Sequence, residues 1–477
     1  MKMKKIFYKL FVITIITGLF SSCEDELEQL PNNSFVPDTY YQTSDDFQNA
    51  MRGVYSGFLG AGYYGGSYIS RPDIMTDNLI LAQQGRRTNQ FFYEWRYNPQ
   101  ITWNIMVSPY LITNRANRII ENIDNLPDGA EKDNFLGQAK AARAIAMFDM
   151  LRVYSVIPQE GAEANGALGM PINTTTDPTF TAVRPSVQES MQFVIDELEE
   201  AKDLLLENGA VGNNISRNTV YAMLSRVYLY NGEYQKAIDN ADAVTTEVAA
   251  RDVFPGVWTD SNDDGVIFKI DQDRNLDGIA IGVEYSQTTP TGVVPEYVIT
   301  YEFFEKFEDA DIRKDAYLSV EQDAAGNIYN FIIKYLGEAG QNNGIVDPKI
   351  IRAAEVYLNK AEAYARLQND AQALIALDEV RSNRYAGFTS PGETGQSLMD
   401  AIMLERRLEL AFEGHRFFDL KRWNLPVTRS ASEGEFFDGT GTPTTFTNLP
   451  ESSHKWELPI PLGEINVYPE LQQNPDY

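Results

Sequence analysis

The first clear periodicity in the chain is helical. Phe47, Met51, Val54 and Phe58 recur every three or four residues, so Asp45–Leu59 is expected to form a helix with Ser44 as candidate N-cap. The period is then lost. From Gly60 to Pro99, Gly60, Gly62, Gly65 and Gly66 interrupt the chain while Tyr63, Tyr64, Tyr68, Phe91, Phe92, Tyr93, Trp95 and Tyr97 crowd together, which predicts an aromatic loop surface. Helical spacing returns at Trp103 and runs through NRANRIIENI. Gly137–Tyr154 predicts a long helix whose small residues allow close packing. Residues 155–184 carry no such pattern, and Pro185 introduces another helix from Ser186.

Two later stretches share one set of offsets. Tyr221, Leu224, Tyr228, Gly232, Ala237, Ala241 and Val244 fall as in a tetratricopeptide unit, in which small residues let two helices pack around a tight turn. Tyr357, Ala361, Tyr364, Ala373, Leu377 and Val380 repeat most of these offsets. Unrelated alanine-rich hairpins are the competing reading. Between the two lie about 100 residues with short strand patterns such as VIFKI, Val266–Ile270. The expected fold is therefore mainly α: a tetratricopeptide-like helical-repeat scaffold with a loop-rich, partly β insertion.

Leu404–Trp423, LERRLELAFEGHRFFDLKRW, sets Leu404, Leu408 and Ala411/Phe412 on one apolar face with charges around it. Gly414 is where that helix should stop, before a shorter apolar segment through Trp423. Glu405, Glu409, Glu413, His415 and Asp419 can be read as an acid/base site or as ion pairs at a packing boundary with His415 at a helix cap; the spacing favours the ion pairs. ERRLELAFEGHRFFDLKRW resembles the C-terminal hallmark of the SusD/RagB family of surface nutrient-binding lipoproteins. The terminal WELPIPLGEINVYPELQQNPDY resembles that family's last segment, a proline-punctuated strand and loop, with Tyr468 and Asp476 departing from the usual residues.

At the other end, Lys2, Lys4, Lys5 and Lys9 precede an apolar run, Leu10–Phe20, too short to cross a bilayer as a helix, so residues 1–22 read as an export signal. Phe20-Ser21-Ser22-Cys23 resembles a lipobox, and Cys23 is the only cysteine, so lipidation gives its thiol a purpose; an ordinary secretory signal is the alternative. Residues 23–40 would be a lipidated tether, with Glu24-Asp25-Glu26 resembling a surface-export signal. Residues 41–250 and 251–477 would form the amino- and carboxy-terminal regions. Loss of residues 1–22 removes four lysines and no acids, leaving 36 basic against 68 acidic residues, a net charge of −32. That balance repels nucleic acid phosphates and anionic lipid headgroups, so no nucleic acid partner is expected, and it favours neutral ligands, cations or basic partners.

Patterned chemistry is sparse. Asp273, Asn275, Asp277, Gly278 and Glu284 fit D-x-N-x-D-G-x5-E, a spacing able to wrap oxygens around calcium, although the strand-like flanks favour plain turns; no other cofactor is indicated. Asp260, Asn262, Asp264, Gly265 and Asp271 form an incomplete second copy. With two histidines and no nucleophile motif, catalysis has little support, though a glycosidase needs only two carboxylates.

The family resemblance implies a non-enzymatic, lipid-anchored outer-membrane protein facing the cell exterior. Such a protein captures an oligosaccharide or other nutrient for a SusC-like TonB-dependent channel. Aromatic rings can stack on sugar C–H faces while amides and charges pair with hydroxyls. Tyr63, Tyr64, Tyr68, Tyr93, Trp95 and Tyr97 are the candidate platforms, Trp95 first, with Trp258 and Tyr285 in the insertion second. Arg71, Asp73, Asp77, Asn78, Arg86 and Arg87 are the candidate hydrogen-bonding groups, while Trp103 and Trp423 are assigned to packing. A glycosidase and a helical scaffold that binds a protein or peptide remain the competing functions.

Overall fold

A computed structural model describes residues 40–158, 166–206, 214–273, 280–289, 292–323, 325–338 and 340–477. Its longer helices, in chain order, are α1 (Ser44–Ser56), α2 (Ser67–Ile74), α3 (Val107–Asn122), α4 (Ala130–Tyr154), α5 (Val187–Leu204), α6 (Arg217–Tyr230), α7 (Tyr234–Ala243), α8 (Ala353–Arg366), α9 (Asp370–Ser382), α10 (Gly395–Glu409) and α11 (Arg416–Trp423). The cap of α1 is Thr43 rather than Ser44, because Thr43 and Asp46 satisfy each other's backbone N–H groups in a capping box. Ser186 and Glu189 do the same for α5.

The helices pack as a continuous array. α3 lies on α4, α4 on α5, α5 on α6, α6 on α7, α7 on α8 and α8 on α9, so each helix buries its apolar stripe against its neighbours. α6–α7 and α8–α9 are the two hairpins that the repeated offsets predict. Because α7 and α8 touch, residues 244–352 leave the array and return to it as a true insertion. α4 is the central member, buried on every side from Gly137 to Tyr154 apart from Lys140.

Five antiparallel two-stranded pairs lie outside the array among the described residues. Val266–Lys269 is a strand as expected and pairs with Lys349–Arg352, closing the two ends of the insertion. Leu79–Leu81 pairs with Tyr297–Ile299, fastening the aromatic stretch to the insertion. The region from Gly60 to Pro99 is thus more ordered than its glycines imply, since it contains α2, that strand and a short turn of helix at Gln90–Tyr93.

The hallmark segment folds as two helices, but α10 ends at Glu409, ahead of Gly414. Phe412 and Gly414 take left-handed φ values of 67° and 82° in the connection. A Cβ on Gly414 would sit 2.5 Å from the Tyr68 carbonyl oxygen, so glycine is required there both for conformation and for closeness. Leu404, assigned to the apolar face, is 40% exposed. The last segment is not a strand: Leu462–Val467 forms a short helix after Pro461.

Candidate functional site

Apart from Phe91, which is 41% exposed, the aromatic stretch does not form a surface. Tyr63, Tyr68, Tyr93 and Tyr97 are 3% exposed or less, Tyr64 is 4% and Trp95 is 8%. Three of them converge on a carboxylate far away in sequence. Asp149 on α4 accepts hydrogen bonds from the hydroxyls of Tyr63 (2.5 Å), Tyr64 (2.9 Å) and Tyr68 (2.7 Å), and Arg152 lies 3.6 Å from it. Burial first, and Asp149 among the further causes, push these phenols well above their ordinary value, so they stay protonated donors. Trp95 donates its indole N–H to the Met75 carbonyl at 2.9 Å, and the Arg429 guanidinium sits 4.4 Å from its ring centroid. In the insertion, Trp258 and Tyr285 are equally buried, Trp258 edge-on to Tyr317 and Tyr335 and Tyr285 stacked with Tyr335. None of these rings offers a free face, which corrects their assignment as platforms.

Several of the polar candidates are also committed. Arg416 donates to Asp77 at 2.7 and 2.9 Å, and Arg407 donates to Asn78 at 2.8 Å, tying that turn to the hallmark. Asp73 is buried and pushed up to about 6, burial outweighing its hydrogen bond from Asn78. Arg71 donates to Asn89 at 3.0 Å, and Asn89 donates to Glu284 at 2.6 Å.

The hallmark charges form an ion lattice rather than an acid/base site. Glu409, fully buried, accepts from Arg384 (2.8 and 3.0 Å), Arg352 (2.9 Å) and Arg313 (3.2 Å). Burial alone would raise its carboxyl, but the cations hold it well below the usual range. His415 is driven well below its ordinary value by burial and by Arg226 and Arg406, so it is neutral; it stands at the start of α11 without a side-chain capping bond.

Glu362, gripped by Arg422 through two 2.6 Å bonds, is held at about 2 against the tendency of burial to raise it. A depressed carboxyl stabilises the fold above its unfolded value, roughly 4.3, and loses that contribution as pH falls towards the folded value. Thermal melts from pH 6 to pH 3 are accordingly expected to fall more steeply for the natural protein than for Glu362→Gln.

Arg86 stands apart from the committed groups because its side chain remains 56% exposed. It edges an open cavity of about 420 Å³ lined by Gly282, Val283, Ser286, Gln287, Ile332, Tyr335, Leu336, Asn342, Asn343 and Gly344. Three segments meet there: the loop after Leu79–Leu81, the start of the Ser286–Thr289 strand, and Tyr335–Leu336 with Asn342–Gly344. Their close approach needs glycine. The Gly282 N–H donates to the Gly344 carbonyl at 3.0 Å, and a Cβ on Gly282 would lie 2.2 Å from the Tyr335 carbonyl oxygen.

Arg86 is anchored from beneath by the buried Glu296, whose Oε1 accepts from its main-chain N–H and its Nε, both at 2.9 Å, and from Gln287 at 2.7 Å. Nearby, Arg87, Asn89 and Trp95 hold left-handed φ values of 61°, 63° and 53°, a concentration of strain of the kind found at functional loops. Sequence reasoning named Arg86 but missed Glu296, Gln287, Asn342 and Asn343. The GQNNG run was the one readable sign of the amides.

Cys23, Asn275 and Asp277 lie outside the described residues. Asp273 and Glu284 lie within them, and among the described residues no group of three or more potential ligands is placed to hold a metal. In the incomplete second copy, Asp260 pairs with Lys349 and Asp271 with Lys269.

Residues 326–477 match the model of the SusD family, and residues 34–229 match a model described as starch-binding associating with outer membrane. A SusD-like protein of Formosa agariphila is 25% identical over 484 residues, spanning 87% of this chain and 91% of its own. A SusD-like protein of Bacteroides ovatus is 24% identical, over 87% of this chain and 82% of its own. A crystallised SusD superfamily protein from Bacteroides thetaiotaomicron superposes with a TM-score of 0.79 at 25% identity, covering 91% of this chain and all of that one. The surface glycan-binding protein A of Bacteroides uniformis shares the fold with a TM-score of 0.72 at 20% identity, covering 91% and 99%. Matches in both halves of the sequence and along the whole helical array place this chain in the SusD-like family.

Proposed function

We propose that this SusD-like protein binds an oligosaccharide in the Arg86 cavity and releases it unaltered to a SusC-like TonB-dependent channel, held to the outer membrane by lipid on Cys23. The observation that carries the reading is the cavity itself: an open, amide-lined hollow of about 420 Å³ where the aromatic region and the insertion meet. Its size suits a few sugar rings, and its amide, hydroxyl and guanidinium groups suit their oxygens. The family model described as starch-binding and the solved relative named as glycan-binding support the same ligand class.

Calorimetry against a panel of oligosaccharides, with chromatography of the recovered sugar, tests it. Binding with no new reducing ends is expected. Absence of binding across the panel, or release of products, overturns the reading, the latter in favour of a glycosidase. Arg86→Ala is expected to weaken the best ligand by about 1.5–3 kcal/mol, the worth of hydrogen bonds to a charged group, with unchanged helicity. Unchanged affinity would move the site elsewhere. Cys23→Ala is expected to shift the protein from the membrane fraction to the soluble fraction on cell fractionation.

A further inference from the structure

We infer that the ligand carries an anionic oxo group, a carboxylate or a sulfate ester, which Arg86 recognises; the inference rests on the oligosaccharide reading of the same cavity. The lining contains one ionisable cation and no carboxylate, in a chain where 68 acids outnumber 40 bases. Every other polar group in the wall, from Ser286, Gln287, Asn342 and Asn343, is neutral.

The manner of anchoring leaves the correct edge open. Glu296 occupies the Nε side of Arg86, and the Val283 carbonyl receives Nη2 at a long 3.4 Å. Nη1 has no acceptor among the described residues, so the Nη1/Nη2 edge is available to a planar carboxylate or a sulfate, the geometry in which guanidinium forms paired charge-assisted bonds. Stacking offers little compensation for a neutral sugar. Tyr335, the aromatic residue in the lining, is 3% exposed and has its ring stacked on Tyr285. Affinity must then come from hydrogen bonding, and the strongest donor present is charged. The acidic surface elsewhere does not oppose this at short range, because fields beyond about 8 Å are screened at physiological ionic strength.

The test is a glycan array of neutral, uronate-containing and sulfated oligosaccharides of matched length, followed by titration of the hits with the natural protein, Arg86→Gln and Arg86→Lys. Glutamine keeps a donor for Glu296 while removing the charge. Acidic ligands are expected to bind at least about tenfold more tightly than neutral ones, a difference of about 1.4 kcal/mol. Arg86→Gln is expected to erase that difference and Arg86→Lys to retain part of it. Preference for the uronate or the sulfated arm identifies which anion is recognised. A neutral oligosaccharide bound as tightly as its acidic counterpart, or a preference that survives Arg86→Gln, overturns the inference while leaving the carbohydrate reading intact. Binding to none of the three classes overturns both.

Discussion

Glu409→Ala is expected to cost about 3–5 kcal/mol of folding stability, the range found when one partner of a buried ion cluster is removed. Three guanidinium groups, from Arg313, Arg352 and Arg384, would lose their common anion in a place without solvent. Arg313 retains Asp311 and Glu405, and Arg352 retains Glu413, but the Glu409 bonds of Arg384 have no carboxylate to replace them. With total stabilities near 5–15 kcal/mol, the loss should appear as a large fall in the denaturant midpoint and in soluble yield. Glu409→Gln should be nearly as damaging, because it preserves shape and removes charge. A loss below about 1 kcal/mol for either variant would mean that the cations find other partners, contrary to the geometry.

Asp149→Ala is expected to cost a similar amount, about 3–6 kcal/mol, for a different reason. Three tyrosine hydroxyls would be left as buried donors, each costing about 1–3 kcal/mol when unmet. Asp149→Asn should cost less, since its remaining carbonyl oxygen still accepts. Near-ultraviolet circular dichroism should report loosening of the tyrosine cluster before the helices melt. If Asp149→Ala leaves that signal intact, the tyrosines are fixed by packing alone.

These two sites also mark what the sequence conceals. The helical array was legible because its signals are local: the apolar spacing of Tyr221 to Val244, the proline and serine before α5, and the alternation of VIFKI. The fate of the tyrosines was not, because the hydroxyls of Tyr63, Tyr64 and Tyr68 converge on Asp149, more than 80 positions away. Local pattern assigned those rings to a surface, and tertiary contact put them inside. The hallmark was recognisable by resemblance, yet the end of α10 at Glu409 follows from the reversal at Phe412 and from the lattice, neither of which has a local signature. The cavity was half visible. Arg86 lay in the expected region, but its neighbours come from residues 282–287, 335–336 and 342–344, brought together by the antiparallel pairing of Leu79–Leu81 with Tyr297–Ile299 and by the glycine contacts of Gly282 and Gly344.

The ties between Asp77 and Arg416, Asn78 and Arg407, and the Tyr93 carbonyl and Arg429 span 339, 329 and 336 positions. A chain synthesised amino end first must therefore keep these early segments open until their partners near the carboxyl end have followed. Loops of this length make closure slow. Closure of this fold is thus a late event, and clipping the tail would remove the partners of Asp77, Asn78 and the Tyr93 carbonyl along with the end of the molecule.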